Sequence, residues 1–182
     1  MGKKIVLLIN LVFLKIMHRI SYKYYLKHFP LYLKRMGVRF SGNIANTGFI
    51  ASTAVFDSVV YANMIEIGEN TIISTGVSFL VHDYSIGTAI RSVRPITEGE
   101  MPRFLKEIKV GNNVFIGAKT IILPGTTIGD NTIIGAGSVV KGNIPSGVVI
   151  AGNPAKVIKN TEDYALEHID KNDFIGTLPS LN

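Results

Sequence analysis

Histidine is the side chain best suited to take up and release a proton near neutral pH, and the chain has four of them. His18, His28 and His168 lie outside the part of the sequence that has a regular six-residue spacing. His82 lies inside it, in the run Leu80–Tyr84. A histidine at a corner between strands can project from the fold and act as a general base. The same position suits a histidine that makes only a local hydrogen bond, so both roles stay open on the residues alone.

Several other chemistries are excluded by what the chain lacks. It has no cysteine, and therefore no disulfide framework, no thiolate zinc site and no acyl-cysteine intermediate. It contains neither the Gly-x-Ser-x-Gly turn of seryl hydrolases nor a Gly-x-x-x-x-Gly-Lys phosphate loop. One histidine in the repeat region is too few for a zinc enzyme on this kind of fold. We therefore expect no metal.

The composition predicts one globular, β-rich domain. Of the 182 residues, 47% are hydrophobic and 18% are charged, 18 are glycine, and helix formers are scarce after residue 40. The elements that position His82 are therefore expected to be short strands joined by turns.

A six-residue repeat defines those strands. From residue 110 onward an aliphatic side chain recurs at every sixth position, and glycine commonly follows it: Val110, Ile116, Ile122, Ile128, Ile134 and Val140. Three such repeats form an 18-residue coil with three strands and three corners, so segment 110–127 aligns with segment 128–145. Each coil stacks its aliphatic side chains on those of the coil below, and Gly, Asn and Asp take the corners. The strands are thus predicted to pair in parallel from coil to coil.

The repeat continues upstream with one long interruption. Ile67, Ile73 and Phe79 keep the spacing, and a looser version begins earlier, with a slip of one residue before Ile67: Val38, Ile44, Ile50 and Phe56. Ile67 and Val110 occupy corresponding positions but lie 43 residues apart rather than 18, which leaves 25 inserted residues. The insertion begins directly after His82.

Four runs carry a family resemblance: Ile116-Gly117-Ala118, Leu123-Pro124-Gly125, Ile134-Gly135-Ala136-Gly137-Ser138-Val139-Val140 and Ala151-Gly152-Asn153-Pro154-Ala155-Lys156-Val157-Ile158. Over about residues 38–159 the chain resembles the hexapeptide-repeat acyltransferases, and most closely the branch of galactoside, maltose and bacterial-polysaccharide O-acetyltransferases. The resemblance implies a left-handed parallel β-helix, a homotrimer with active sites between subunits, and acetyl-CoA as donor. The left hand follows from the resemblance alone, because parallel strands are usually joined by right-handed connections.

The resemblance also implies roles for residues. His82 corresponds to the family's catalytic histidine, which takes the acceptor's proton in a direct transfer within a ternary complex. Asp83 is a candidate for binding the acceptor hydroxyl, with a contact to the next subunit or a surface position as alternatives. A backbone carbonyl is the default partner expected to orient His82, with Asp57 and Glu66 as alternatives.

For the donor, the expected binding residues follow the repeat. Ala118 and Ala136 stack one coil apart, and their small side chains leave a groove for the pantetheine arm. Lys156 and Lys159 match basic positions that contact CoA phosphates in the family. Lys141 occupies a polar position of the family's Thr-Lys pair, although Gly142 replaces the usual lysine after it.

The inserted loop, about residues 85–108, is expected to reach across an active site and select the acceptor, because long loops in compact repeat folds are usually functional. We assign substrate binding to Arg91 and Arg94. Together with Arg103 and Lys106 they suggest an anionic acceptor, with solvated surface charge as an equal alternative.

The N-terminal segment, residues 1–37, is predicted to be helical. Residues 1–39 contain nine Lys and Arg, and the first acidic residue is Asp57. The apolar run 5–14 is too short to cross a bilayer, which takes about 20 residues. Its expected roles, in order of preference, are a cap or subunit contact and a helix on an anionic membrane surface, with Ile5, Leu8 and Val12 on one face. Nucleic-acid binding is not expected.

The chain is thus divided into the N-terminal helical segment (1–37), the repeat domain (38–159) and a C-terminal helix with a loose tail (160–182). The predicted function is acetyl-CoA-dependent O-acetylation of a sugar or cell-surface glycan precursor in polysaccharide biosynthesis. We expect the protein in the cytoplasm, with peripheral contact at the inner face of the membrane. An amino-sugar N-acetyltransferase, an antibiotic O-acetyltransferase and a non-enzymatic β-helix binding module are the alternatives.

Overall fold

The computed structural model describes residues 2–57, 60–97, 99 and 101–177. The helices are α1 (Gly2–Ile20), α2 (Tyr22–Met36), α3 (Ser85–Arg91) and α4 (Thr161–Lys171). The strands are β1 (Arg39–Phe40), β2 (Val55–Phe56), β3 (Ile65–Ile67), β4 (Ile72–Ile73), β5 (Ser78–Phe79), β6 (His82–Asp83), β7 (Phe104–Leu105), β8 (Ile108–Val110), β9 (Phe115–Ile116), β10 (Ile121–Ile122), β11 (Thr127–Ile128), β12 (Ile133–Ile134), β13 (Val139–Val140), β14 (Asn143–Ile144), β15 (Val148–Gly152) and β16 (Ala155–Asn160).

Three mostly parallel sheets form the body of the protein. The first has the order β1-β3-β8-β11-β14, the second β13-β10-β5-β2, and the third β16-β15-β12-β9-β4. From β8 to β15 the chain visits the three sheets in turn, and Ile116 and Ile134, 18 residues apart, are direct partners. The six-residue spacing therefore predicted the strands, their parallel pairing and their register in this part of the chain.

One core is shared by the three sheets. The aliphatic member of each repeat is buried, as Ile116, Ile122 and Ile128 show. Buried hydroxyls beside the strands bond to carbonyls of the turns: Thr126 Oγ1 donates to Leu123 O at 2.7 Å, and Ser138 Oγ to Gly135 O at 2.6 Å. The interior is thus filled and its polar groups are satisfied.

Asparagines at one corner adopt the left-handed backbone conformation that the repeat predicts. The φ angles of Asn70, Asn113 and Asn131 are 52°, 53° and 55°. Asn113 Nδ2 donates to Asn131 Oδ1 at 2.7 Å, so successive corners are also joined through their side chains. Asparagine tolerates this conformation better than most residues.

The predicted frame is wrong at its start. Phe40, and not Val38, pairs with Ile67, and Ile44 lies in a short 3-10 turn rather than in a strand. Ile50 pairs with Ile73, so the frame holds from there on. The first turns are longer than 18 residues, and the loose spacing did not show where the extra residues lie.

The two N-terminal helices form a hairpin that packs on the first coils. Ser21 begins α2 by accepting a hydrogen bond from Tyr24 N on its side chain, and Gly37, with φ of 118°, ends it. The hydroxyl of buried Tyr25 donates to Ile50 O at 2.6 Å, which ties α2 to the repeat. Among the described residues, no helix has both the length and the apolar character needed to cross a bilayer.

At the other end, β16 returns antiparallel to β15, and α4 follows it. The helix agrees with the segment predicted from residue 160, and Thr161 Oγ1 donates to Asn131 O at 2.8 Å. Strand β16, which the sequence did not predict, covers the edge of the third sheet.

Candidate active site

The residues that follow the strands of the second sheet form one line, which we call the second-sheet corner. Asp57 follows β2, His82 lies three residues after β5, Leu123 follows β10 and Lys141 follows β13. Because these strands are neighbours in the sheet, the four residues stack along the axis of the repeat. Phe56 pairs with Phe79, which brings Asp57 next to the turn that carries His82.

Asp57 holds the imidazole of His82. Its Oδ2 lies 2.6 Å from Nδ1 of His82 and accepts a second hydrogen bond from Val81 N at 3.0 Å. The Asp57 side chain is 5% exposed, whereas that of His82 is 28% exposed. A carboxylate at Nδ1 favours the tautomer with its hydrogen there, and this leaves Nε2 as the basic nitrogen. The backbone carbonyl expected as the partner of His82 is therefore wrong, and Asp57 takes that place.

Two tyrosines and an arginine surround His82. The ring centres of Tyr61 and Tyr84 lie 5.5 and 5.4 Å from that of His82. Arg103 donates to Tyr61 Oη at 3.2 Å, and its guanidinium carbon lies 6.0 and 5.8 Å from the two tyrosine rings. The sequence analysis gave no role to either tyrosine, since neither belongs to a repeat position. Their only signal was the position of Tyr84 two residues after His82.

The inserted loop is anchored at its two ends beside His82. Strands β6 and β7 pair antiparallel, with His82 opposite Leu105 and Asp83 opposite Phe104. Lys106 N also donates to Val81 O at 2.9 Å. The return of the loop therefore brings Arg103 to the histidine.

Asp83 faces a small pocket at the same corner. Its Oδ1 accepts from Ser85 N at 2.8 Å, and this bond, with the Ser85 side chain and the charge of Lys141, lowers the pKa of Asp83. The pocket has a volume of about 160 Å³ and is lined by Asp83, Phe104, Lys106, Leu123, Pro124 and Lys141. A carboxylate and two ammonium groups are thus available to a ligand beside His82.

Arg91 and Arg94 lie elsewhere in the insertion. Arg91 is the last residue of α3, Arg94 follows three residues later, and both are exposed. Within the described residues, neither makes a hydrogen bond or ion pair with His82 or Asp83. Arg103 is the arginine that the fold brings to the histidine.

Ala118 and Ala136 lie at a different edge, the third-sheet corner, which we define by the residues directly after β9, β12 and Ile150. They are one coil apart, and Gly137 N donates to Ala118 O at 2.8 Å. A Cβ on Gly117 would lie 2.5 Å from Ala136 N, so glycine is required for this close stacking. Ala118 is half-buried and Ala136 is exposed, which leaves a shallow, small-residue surface.

The basic residues assigned to the donor are divided among three places. Lys156 pairs with Ala151 and extends the third-sheet corner, where it is exposed. Lys159 is ion-paired with Glu167 of α4. Lys141 lies at the second-sheet corner with His82. In the part of the chain that the structure describes, no group of three or more His, Asp or Glu side chains could hold a metal ion.

Comparison with known proteins gives the family. Residues 107–142 match the family described as bacterial transferase hexapeptide (six repeats). Over 146 residues the chain is 39% identical to protein CapG of Staphylococcus aureus, and the match covers 80% of this chain and 79% of CapG. The chain belongs to the hexapeptide-repeat transferase family.

Other members of the hexapeptide-repeat family match over shorter or more distant stretches. Over 99 residues, 54% of this chain, it is 42% identical to galactoside O-acetyltransferase of Escherichia coli (strain K12). The matches span 45% and 55% of the first two curated relatives, about half of their length. A solved galactoside acetyltransferase in complex with coenzyme A covers 87% of this chain and 82% of its own, with a TM-score of 0.57 at 25% identity. The fold of that family member therefore extends over most of this chain.

Proposed function

We propose that this chain transfers an acetyl group from acetyl-CoA to a hydroxyl group of a sugar, in a cell-surface glycan or its precursor. Family membership, the relative named galactoside O-acetyltransferase and the solved family member with coenzyme A support this proposal. The observation that carries it is the 2.6 Å hydrogen bond from His82 to Asp57, because it prepares Nε2 to act as a base.

The reaction is a direct attack within a ternary complex. Nε2 of His82 takes the proton of the acceptor hydroxyl while the hydroxyl oxygen forms a bond to the acetyl carbonyl carbon. The carbon–sulfur bond then breaks, and the imidazolium returns its proton to the departing sulfur, giving the acetyl ester and the free CoA thiol. Asp57 keeps the ring in position and stabilises the imidazolium while it exists.

The donor is proposed to lie along the third-sheet corner. Ala118 and Ala136 leave room for the extended pantetheine arm, and Lys156 lies where a phosphate of CoA needs a cation. Lys159 can contribute only if it exchanges its contact with Glu167 for a phosphate. Lys141 lies on the other corner and contributes from the side of His82.

This separation of the two corners supports a homotrimer. The donor surface and His82 lie at different edges of one chain, so a site that contains both is formed between two chains. We propose that coils wound with the left hand of the family pack as three copies. In this arrangement His82 of one copy meets the third-sheet corner of the next.

The acceptor is proposed to lie against Asp83 and the cluster around His82. The pKa of Asp83 is lowered, so its carboxylate is ionised at neutral pH and can accept a hydrogen bond from a sugar hydroxyl. Arg103 supplies a cation beside Tyr61 and Tyr84, which suits an acidic sugar or a sugar phosphate. Arg91 and Arg94 are proposed contacts for more distant parts of a large acceptor.

The test is release of the free CoA thiol over a panel of neutral, acidic and phosphorylated sugars, with mass spectrometry of the product. We expect an adduct that mild alkali removes, as for an ester. His82→Ala should lower turnover by about 10²–10⁴-fold, the range for general acid–base catalysis, while acetyl-CoA binding by calorimetry is retained.

Two results would argue against this function. Near-normal turnover of His82→Ala would remove His82 from the mechanism. Donor binding without thiol release for any acceptor would favour a binding module, and an alkali-stable adduct would indicate N-acetylation.

A further inference from the structure

Helix α1 exposes an apolar stripe that the rest of the chain does not cover. Its buried residues, Leu7 and Leu14, are seven positions apart and therefore share one face. The opposite face carries a stripe at intervals of three and four residues, which we call the outer stripe of α1: Ile5, Ile9, Val12, Ile16 and Ile20. These five side chains are between 51% and 72% exposed.

This stripe is large for a surface facing water. Over residues 5–20 a helix is roughly 22 Å long at 1.5 Å per residue. Val6, Leu8 and Phe13 widen the apolar face on its two sides, with exposures of 57%, 62% and 49%. Contiguous apolar surface of this extent marks a contact with a protein or a membrane.

Exposed cations lie beside the stripe and on the neighbouring helix. Lys15 and Arg19 share with Val12, Ile16 and Ile20 a groove of about 750 Å³ between α1 and the first coils. On α2 the residues Lys23, Lys27 and Lys34 are exposed, on the face opposite buried Tyr25 and Tyr32. No acidic residue precedes Asp57, so neither helix contains a carboxylate that would neutralise these charges.

We propose that the α1–α2 hairpin docks on the surface of a lipid bilayer that contains anionic lipids, with the outer stripe inserted at the level of the headgroups. An interfacial helix combines an apolar face with flanking lysine and arginine, and α1 with α2 provides both. Anionic headgroups complement the uncompensated cations. A second copy of this hairpin would instead bring cations against cations.

This docking is independent of acetyl transfer and goes beyond it. It holds the protein at a membrane while the second-sheet and third-sheet corners stay in water. It thereby favours acceptors that are attached to, or assembled at, that surface. Transfer to a soluble acceptor does not require it.

The experiment is cosedimentation of the full chain with vesicles of equal parts phosphatidylglycerol and phosphatidylcholine, compared with phosphatidylcholine alone. We expect binding to the anionic vesicles only, and its loss in about 1 M salt, where charges are screened beyond roughly 3 Å. Replacing Lys23, Lys27 and Lys34 by Gln should lower the affinity about fivefold per lysine, the factor that corresponds to about 1 kcal/mol each.

A second variant tests the stripe itself. Ile9→Gln/Val12→Gln/Ile16→Gln should abolish vesicle binding without loss of folding, because all three side chains are already exposed. The matched control is Val157→Gln/Ile158→Gln, which removes similarly exposed apolar side chains from β16 and should leave vesicle binding unchanged.

The opposite pattern would overturn the proposal. If the full chain ignores anionic vesicles at low salt, or binds both vesicle types equally, no anionic surface is recognised. If, in addition, the stripe variant changes the sedimentation coefficient of the protein, the stripe is a contact between copies of the chain.

Discussion

Asp57 and His82 are 25 residues apart in the chain and share a hydrogen bond of 2.6 Å, because β2 and β5 are neighbours in the second sheet. Val81 N donates to the same carboxylate oxygen, so the position of Asp57 is fixed from two directions. Asp57 itself has a φ of 37°, a conformation that few residues other than glycine and asparagine adopt easily. The strained backbone and the near-complete burial indicate that this carboxylate is held for the histidine.

The first prediction follows from that hydrogen bond. In Asp57→Asn the amide oxygen can still accept from Val81 N, but the amide nitrogen then faces Nδ1 and favours the wrong tautomer. We expect turnover to fall by about 10²–10⁴-fold, as for the equivalent change in a catalytic triad, with little change in the KM for acetyl-CoA.

The control for this prediction is the other carboxylate considered as a partner of His82. Glu66 is ion-paired with Arg39 at 3.5 Å and does not contact His82, so Glu66→Gln should keep normal turnover. Equal losses in the two variants would mean that the fold, and not the orientation of His82, had been disturbed.

The second prediction concerns the arginine that reaches the histidine. Arg103→Gln removes the cation beside Tyr61 and Tyr84, and we expect the KM for an acidic or phosphorylated acceptor to rise about tenfold or more, the cost of one charge-assisted hydrogen bond. The KM for a neutral sugar should change much less. Arg94→Gln is the matched control, since Arg94 makes no contact with this cluster. If both variants behave alike, Arg103 has no special role in selecting the acceptor.

How far the sequence predicts this protein differs between its two halves. In residues 110–145 the spacing is strict, so partners such as Ile122 and Val140 could be assigned before any coordinates. In the first coils Phe56 and Phe79 are 23 residues apart, and a count of 18 does not bring Asp57 to His82. The catalytic base could therefore be named from the sequence, but its partner could not.

The inserted loop shows a second limit. Four basic residues lie in it, and nothing in their spacing separates Arg103 from Arg91 or Arg94. What separates them is the β6–β7 pairing, which returns residues 103–106 to His82. That pairing is an antiparallel contact outside the six-residue period, so the period gave no information about it.

The third prediction is a pH dependence of the C-terminal helix. Hydrogen bonds and charge from Lys159 and Lys171 hold the pKa of Glu167 at about 2, below its ordinary value of 4.5. Because the pKa is lower in the folded state, the stabilisation is fully present above pH 4.5 and is lost as the pH falls toward 2. Amide exchange should therefore show that α4 loses protection in this window before the strands do.

A substitution on the same helix checks the assignment. Glu167→Gln should have the weaker protection at every pH and lose the dependence, whereas Glu162→Gln, in the first turn of α4, should behave like the wild type. An unchanged profile in Glu167→Gln would show that another group controls the helix.

The last prediction tests whether the two corners meet between chains. Ala136→Trp should block the donor surface at the third-sheet corner, and His82→Ala removes the base at the second-sheet corner, so each variant alone should be inactive. When the two are unfolded together and reassembled, some interfaces pair the intact His82 of one chain with the intact corner of the other. Random mixing into trimers should restore about a quarter of the wild-type activity, because that is the share of interfaces without a mutation. A site contained within one chain would give no recovery, since every chain in the mixture carries a defect. Mixing the two preparations without unfolding provides the baseline, and sedimentation establishes that the mixed assemblies have the size of the wild-type protein.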